Sequence, residues 1–211
     1  ILPATRKENA QFRQRLREQP SCVTWRELYQ LRDLDHEVID TLSVCTDDLL
    51  SAEGYRLYWI LSTRKKEHDA ATRVSVTDRA IRQLLELRQR LLWPRTRFRQ
   101  RDKVAQAVEE IVSACGVRDW LVVEIHQSEQ EIYRQLRRGR PGKDTKFKRT
   151  VQIQYTISWQ INALALEDAA KDDGVFPLIT NRHDWDTRRV LEAYKRQPII
   201  EKRFSQLKTD F

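Results

Sequence analysis

The 211-residue chain contains no methionine, only five glycines and six prolines, and three cysteines. The missing methionine leads us to expect part of a longer translation product, and the few glycines and prolines mark no flexible linker between separate domains. Cys22, Cys45 and Cys115 lie far apart and form no paired metal-ligand motif, which predicts reduced thiols and no structural zinc. No apolar run approaches the roughly 20 residues that span a bilayer, so we expect no membrane partner.

Positive charge is concentrated in two windows. The net charge is +8; residues 88–103 hold seven Lys or Arg against one Asp, and residues 134–149 hold eight against one. The windows therefore carry +6 and +7, and the remainder of the chain is acidic. Such concentration is typical of a surface that binds nucleic-acid phosphates. A solubilising surface is the alternative.

The first window alternates arginine with other residues at Arg95, Arg97 and Arg99. In an extended segment these guanidinium groups lie on one side, where they can hold phosphates while Trp93 or Phe98 stacks on a base. The alternative is a loop that ends a helix. We favour a buried position for Trp93.

The second window contains Arg138, Arg140 and Lys143 within an Arg-Gly-Arg-Pro-Gly-Lys segment. This segment resembles the core of an AT-hook, an extended element that enters the minor groove of A·T-rich duplexes. We favour a basic turn between two elements, with some of these residues contacting phosphates.

Hydrophobic periodicity predicts a mixed α/β fold without internal repeats. Ser128 and Glu131 form a possible capping box that predicts a helix leading into the second window, and Asp186 is a suitable cap for the last helix. Predicted strands cover residues 55–63, 120–126, 151–161 and 175–180; predicted helices cover residues 81–92, 104–115 and 162–171.

The C-terminal segment places Tyr194, Glu201 and Lys208 seven residues apart. Seven residues are about two helical turns, so in a helix these side chains lie on nearly one stripe. A carboxylate between a hydroxyl and an ammonium suits a metal ion beside a phosphate. The alternative is an exposed amphipathic helix, and Pro198 interrupts the helix between Tyr194 and Glu201.

This spacing resembles the Tyr-x2-Arg-x3-Glu-x6-Lys signature of bacterial insertion-sequence transposases of the DDE type. Gln197 stands at the arginine position of the signature. Residues 173–181 are similar to the strand that precedes the signature helix, and residues 51–57 and 139–142 are similar to segments between the second and third catalytic acids.

The resemblance implies a fragment of a ribonuclease-H-like core that contains a large insertion between core strands. Residues 1–19 would form a core strand and the following turn, and residues 20–170 an inserted region that carries the basic segments. Residues 171–211 would form the last core strand and the signature helix. Both catalytic Asp residues would precede Ile1.

By the same resemblance, Glu201 is the third catalytic acid and, with the two Asp residues, holds two Mg²⁺ or Mn²⁺ ions. Tyr194, Arg203 and Lys208 would contact DNA phosphates. The intact protein would cleave and transfer DNA strands at mobile-element ends, as a homodimer on double-stranded DNA in the bacterial cytoplasm, associated with the nucleoid. The fragment alone would be inactive.

The alternative is a non-enzymatic DNA-binding or architectural module that uses its basic segments. Metal dependence discriminates between the two, because only strand cleavage requires a metal ion.

Overall fold

The computed structural model describes residues 2–3, 6–19, 23–45, 49–51, 53–93, 96–136, 139–142 and 145–196. The fold is mixed α/β, as predicted. Its elements are β1 (Leu2–Pro3), α1 (Arg6–Glu18), β2 (Trp25–Arg32), β3 (Val38–Cys45), β4 (Leu49–Leu50), β5 (Arg56–Ser62), α2 (Thr63–Leu91), α3 (Arg101–Cys115), β6 (Leu121–Gln135), β7 (Phe147–Ile161), α4 (Ala163–Ala170) and β8 (Val175–Thr180), followed by α5 at residues 187–196.

The chain divides into two compact units. Unit 1 comprises residues 1–72 with 167–211, and unit 2 comprises residues 73–166. The inserted region expected at residues 20–170 stays a prediction. The division by packing has different bounds, because β2 to β5 pair in the same sheet as β1 and β8.

Unit 1 is built on a sheet in which the strands follow the order β1-β8-β5-β3-β2, with β4 also paired to β5. Every strand pair in the described part of this sheet is antiparallel. On one face, Phe12 of α1 stacks on Trp59 of β5, with 3.8 Å between ring centroids. On the other face, Val190 and Leu191 of α5 pack against Ile60. Helices therefore cover this sheet on both faces.

Buried carboxylates fix several turns of unit 1. Asp172 has a side chain only 4% exposed and accepts a hydrogen bond from Arg13 at 2.7 Å and one from Arg17 at 3.2 Å. Asp40 accepts the Ser62 hydroxyl at 2.9 Å and the Arg64 backbone N–H at 3.2 Å, at the start of α2. Each carboxylate joins segments that are far apart in the sequence.

The turn before β8 requires glycine at position 174. Gly174 has φ +78°, and a Cβ there would lie 2.5 Å from the Ser62 carbonyl oxygen and 2.8 Å from Lys66 Cβ. Its N–H donates to Asp69 Oδ2 at 2.9 Å. Partial burial opposes ionisation of Asp69, but hydrogen bonds from Lys65 and the Gly174 N–H leave its pKa below the ordinary value of 3.8.

Unit 2 packs two helices against a long hairpin. Apolar residues of α2 and α3 face one surface of β6 and β7, and Leu84, Val104 and Ile157 are almost completely buried. α3 ends as predicted at Gly116, which adopts the left-handed conformation with φ +68°. β6 and β7 pair in unbroken register from Leu121↔Ile161 to Gln135↔Phe147.

Most predicted elements are confirmed, and β5, β7, β8, α3 and α4 lie near their expected positions. The helix predicted at residues 81–92 is the C-terminal part of α2, which begins much earlier, at Thr63. Asp186 caps α5, since its carboxylate accepts the Arg189 N–H at 2.8 Å. Cys45 and Cys115 are free and buried, and Cys22 lies outside the described residues. Among the described residues, no helix is both long and apolar enough to cross a membrane.

Two local predictions are wrong. The helix expected from Ser128 is the second half of β6, and Ser128 Oγ donates to the Gln154 carbonyl across the hairpin at 3.4 Å. Cross-strand pairing with β7 overrides the local capping pattern. Trp93, expected in the core, is 62% exposed, because Phe98 fills the interior position next to it with an exposure of 7%.

Candidate nucleic-acid interface

The predicted site residues divide into two groups. Those outside the described part of the chain are Glu201, Arg203, Lys208, Arg95, Arg138 and Lys143. Those that the structure describes are Tyr194, Arg97, Arg99 and Arg140. Within the described ranges, no group of three or more His, Cys, Asp or Glu side chains is arranged to hold a metal ion.

Tyr194 lies on α5 and is half-buried. Its ring packs against Phe176 of β8, with 6.2 Å between ring centroids, and it belongs to the apolar cluster between α5 and the sheet. This ring contact therefore helps to hold α5 against β8. The described part of α5 ends two residues later, at Arg196.

A cationic and aromatic surface surrounds the start of α5. The half-buried Trp185 has the guanidinium carbon of Arg189 at 4.5 Å and that of Arg182 at 5.1 Å from its ring centroid. Arg182 also pairs with Asp184. Cation–π contact favours a fixed guanidinium position, with a surface strength of about 0.5–1 kcal/mol.

The same surface continues along α5 to Tyr29 of β2. Arg188 and Lys195 place their charges 5.5 Å and 5.4 Å from the Tyr29 ring centroid. Arg188 is paired with Glu192, so its positive charge is partly neutralised. Sequence reasoning missed this surface; the i, i+7 spacing of Arg188 and Lys195 was its available signal.

In unit 2, the two basic windows meet at one cleft. It has a volume of about 260 Å³. The segment after α2 contributes Leu91, Leu92, Trp93, Thr96, Phe98 and Arg99, and the hairpin contributes Gln130, Ile132, Arg134, Gln152, Ile153, Gln154 and Tyr155. The cleft thus brings an exposed indole, two guanidinium groups and three amides together.

Arg97 and Arg99 do not share one side of their segment. Arg99 lines the cleft with Trp93, and its Nε donates to the Thr96 carbonyl at 3.2 Å. Arg97 instead places its guanidinium carbon 5.3 Å from the Phe98 ring centroid and lines a different pocket, against α3. The described part of this segment is therefore the alternative, a loop that follows α2, and not an extended segment with its arginines on one side. Phe98 is not available to stack on a base.

The hairpin has two chemically different faces. On the even-numbered face, directly opposed pairs are Ser128↔Gln154, Gln130↔Gln152, Ile132↔Thr150 and Arg134↔Lys148. These four outer pairs contain amides, hydroxyls, cations and Ile132 and no carboxylate, whereas the same face carries Glu124 nearer the base of the hairpin, opposite Ser158. Arg134 and Lys148 make no ion pair within the described part of the chain.

The odd-numbered face neutralises its own charge. Glu131 accepts the Tyr133 hydroxyl at 2.8 Å and forms an ion pair with Arg149 on the opposite strand. The hydrogen bond to Glu131 raises the pKa of the Tyr133 phenol above its ordinary value. Positive potential is consequently concentrated on the even-numbered face.

Arg140 is exposed in the turn that joins β6 and β7. The Gly142 N–H donates to Thr145 Oγ1 at 2.7 Å, and the Leu136 N–H donates to the Lys146 carbonyl at 3.0 Å. The favoured interpretation, a basic turn between two elements, is confirmed for the described residues 139–142.

The glutamine row formed by Gln130, Gln152 and Gln154 was also missed from the sequence. The alternation of polar residues in β7 was visible in the sequence. Because a helix was predicted from Ser128, no strand was expected to pair with this part of β7.

Comparison of the chain with protein families, with curated protein sequences and with solved structures returned no match.

Proposed function

We propose that the chain is the C-terminal part of the catalytic region of a DDE-type transposase with a ribonuclease-H-like core. The resemblance of residues 194–208 to the transposase signature is the observation that carries the proposal. The local fold supports it: strand β8 is followed by the Asp186-capped helix α5, which contains Tyr194, while Glu201 lies outside the described residues. This is the strand and helix order that the signature requires.

In this proposal Glu201 acts together with two Asp residues outside these 211 residues. Two Mg²⁺ or Mn²⁺ ions would activate the attacking oxygen and stabilise the leaving oxygen. Tyr194, Arg203 and Lys208 would orient the phosphates of the reacting strand. The packing of Tyr194 on Phe176 supports an orienting role, because it limits the motion of the phenol.

The two basic windows would hold duplex DNA, at mobile-element ends and at the target. Arg95, Arg97, Arg99, Arg138, Arg140 and Lys143 are the proposed phosphate contacts. The concentration of positive charge in residues 88–103 and 134–149 supports this role. Homodimerisation on DNA and a cytoplasmic, nucleoid-associated location follow from the proposed reaction.

The test is Glu201→Ala in the intact protein. We expect strand cleavage to be lost while DNA binding changes by less than about twofold, since one carboxylate among many charges hardly affects phosphate attraction. Glu192→Ala, an exposed glutamate on α5, is the matched control and should retain cleavage. Cleavage retained by Glu201→Ala would overturn the proposal, as would cleavage by the 211-residue chain alone.

A second candidate function, a non-enzymatic DNA-binding module, is favoured by the meeting of both basic windows in unit 2. An intact protein that binds DNA equally with and without a chelator, and never cleaves it with Mg²⁺ or Mn²⁺, would establish this alternative.

A further inference from the structure

We propose that the β6–β7 hairpin enters the major groove of duplex DNA and reads base edges with its even-numbered face. The inference rests on the DNA-binding part of the proposed function and adds which element binds, which groove it occupies and which side chains read bases. It does not depend on strand cleavage.

The hairpin has the shape of a two-stranded ribbon that extends from unit 2. Its base is anchored in unit 2 by buried residues, among them Leu121, Tyr155 and Ile157. The next eight cross-strand pairs, from Ser128↔Gln154 to Gln135↔Phe147, continue without a bulge. Most of their side chains are exposed, and Ile132, Gln152 and Gln154 are half-buried where they line the cleft. At about 3.3 Å per residue, this part extends for about 26 Å. The major groove of B-form DNA admits a two-stranded ribbon of this kind.

The even-numbered face carries side chains that can recognise base edges. Gln130, Gln152 and Gln154 present amides that match the N6 donor and N7 acceptor of adenine. Ile132 lies in the same row, where an apolar side chain can contact a thymine methyl group. Arg134 suits guanine or a phosphate. Because strand side chains alternate, all of these groups reach the same side of the hairpin.

Charge also distinguishes the two faces of the hairpin. Arg134 and Lys148 lie directly opposite each other on the even-numbered face, whereas Arg149 on the other face is neutralised by Glu131. Arg99 lines the same cleft as Arg134, where it can meet the phosphate strand that borders an occupied groove. The attraction to DNA therefore selects one face of the hairpin.

The test uses the 211-residue chain in a chelating buffer and a duplex that the chain recovers from a random 20-base-pair library. Fluorescence anisotropy compares this duplex with one in which the purines are replaced by 7-deazapurines. This replacement removes the major-groove N7 acceptors and leaves the phosphate charge unchanged. We expect the affinity of the wild-type chain to fall at least fivefold.

Variants then locate the reading face. The combination Gln130→Ala, Gln152→Ala and Gln154→Ala should lose most of the difference in affinity between the two duplexes, because the amides that use the N7 of adenine are gone. Gln127→Ala, on the same strand but the opposite face, should keep the wild-type difference. Arg134→Gln with Lys148→Gln should lower the slope of log K against log salt by about 2, since each lost phosphate contact removes about 0.9. Arg149→Gln should leave that slope nearly unchanged.

The outcomes separate this inference from the proposed function. Equal wild-type affinity for both duplexes would overturn it, as would equal affinity for A-form duplex RNA, in which side chains cannot read the deep, narrow major groove. Absence of duplex binding would also overturn it. Sensitivity to 7-deazapurines would support it even if the intact protein never cleaved DNA, and Glu201-dependent cleavage without that sensitivity would leave the transposase proposal standing alone.

Discussion

Units 1 and 2 use polar groups in opposite ways. In the described part of unit 1 the buried polar residues include three carboxylates, Asp40, Asp172 and Asp173. In the described part of unit 2 the buried polar residue is Thr77, and no carboxylate is buried. Unit 1 uses internal charge to fix turns, whereas unit 2 has an apolar interior and carries its charge on the surface.

The difference has two consequences. Buried, hydrogen-bonded carboxylates hold backbone segments in one arrangement, and removing a partner is costly because a buried charge is left uncompensated. The stability of an apolar interior depends mainly on how well its side chains fill the available volume. Surface substitutions in such a unit have little effect on stability. We therefore expect unit 1 to be sensitive to backbone and charge changes and unit 2 to core truncation.

The largest expected effect is that of Gly174→Ala in unit 1. The left-handed backbone costs about 1–2 kcal/mol for alanine, and the overlap with the Ser62 carbonyl adds about 1–3 kcal/mol. We expect a total loss of about 2–5 kcal/mol in the free energy of unfolding, measured by chemical denaturation, with faster hydrogen exchange in peptides of unit 1.

The control is Gly116→Ala in unit 2. Gly116 also has a positive φ, but nothing lies within 4 Å of the position of its Cβ. Gly116→Ala should therefore lower the free energy of unfolding by only about 1–2 kcal/mol. Equal losses for the two variants would show that close packing around Gly174 is unimportant.

The next largest loss of stability is expected from truncation of a core side chain in unit 2. Leu84→Ala removes a completely buried side chain of α2 and should cost about 3 kcal/mol through lost burial and a residual cavity. Leu85, the next residue along the helix, is 43% exposed, and Leu85→Ala should cost less than about 1 kcal/mol. Hydrogen exchange should accelerate in peptides of unit 2; acceleration confined to unit 1 would contradict the separation of the two interiors.

A smaller effect is expected from Asp172→Asn in unit 1. Asparagine keeps the shape but removes the charge that faces Arg13 and Arg17. Both arginine side chains are about one-third exposed, so we expect a loss of about 2 kcal/mol, below the value for a fully buried pair. Thermal unfolding at several salt concentrations measures it. An unchanged melting temperature would mean that backbone contacts alone hold this turn.

The smallest expected effect is a response to pH. The pKa of Asp69 is lowered in the folded state, so its stabilisation is present above about pH 4 and is lost as the pH falls through the folded value. Asp69→Asn should flatten the acid side of the stability profile. Melting temperatures from pH 5 to pH 2.5 test this; an unchanged profile would refute it.

Unit 2 should respond at the opposite end of the pH scale. The pKa of Tyr133 is raised by its bond to Glu131, so this bond contributes below about pH 10 and is lost as the pH rises through the folded value. Tyr133→Phe should abolish that alkaline response.

Local patterns gave a large part of the fold. The unbroken alternation from Val151 to Ile161 correctly predicted a long strand. Only the middle of its apolar row is buried, at Tyr155 and Ile157, whereas Val151, Ile153 and Ile161 are exposed. The capping by Asp186 and the stop at Gly116 were also predicted correctly, since each depends on neighbours within one helical turn. The candidate site was harder to predict from the sequence. Arg97 and Arg99 were identified, but their separation by the buried Phe98 was not.

The sequence by itself determined the fold class, most element positions and the concentration of positive charge, because these depend on composition and on neighbouring residues. Only the tertiary structure decided that residues 128–135 are a strand, that Trp93 is exposed and that the two basic windows share a cleft. The physical reason is the distance along the chain between the partners. Residue 130 pairs with residue 152, and the free energy of such nonlocal pairs overrides the weak local preferences that a short segment expresses.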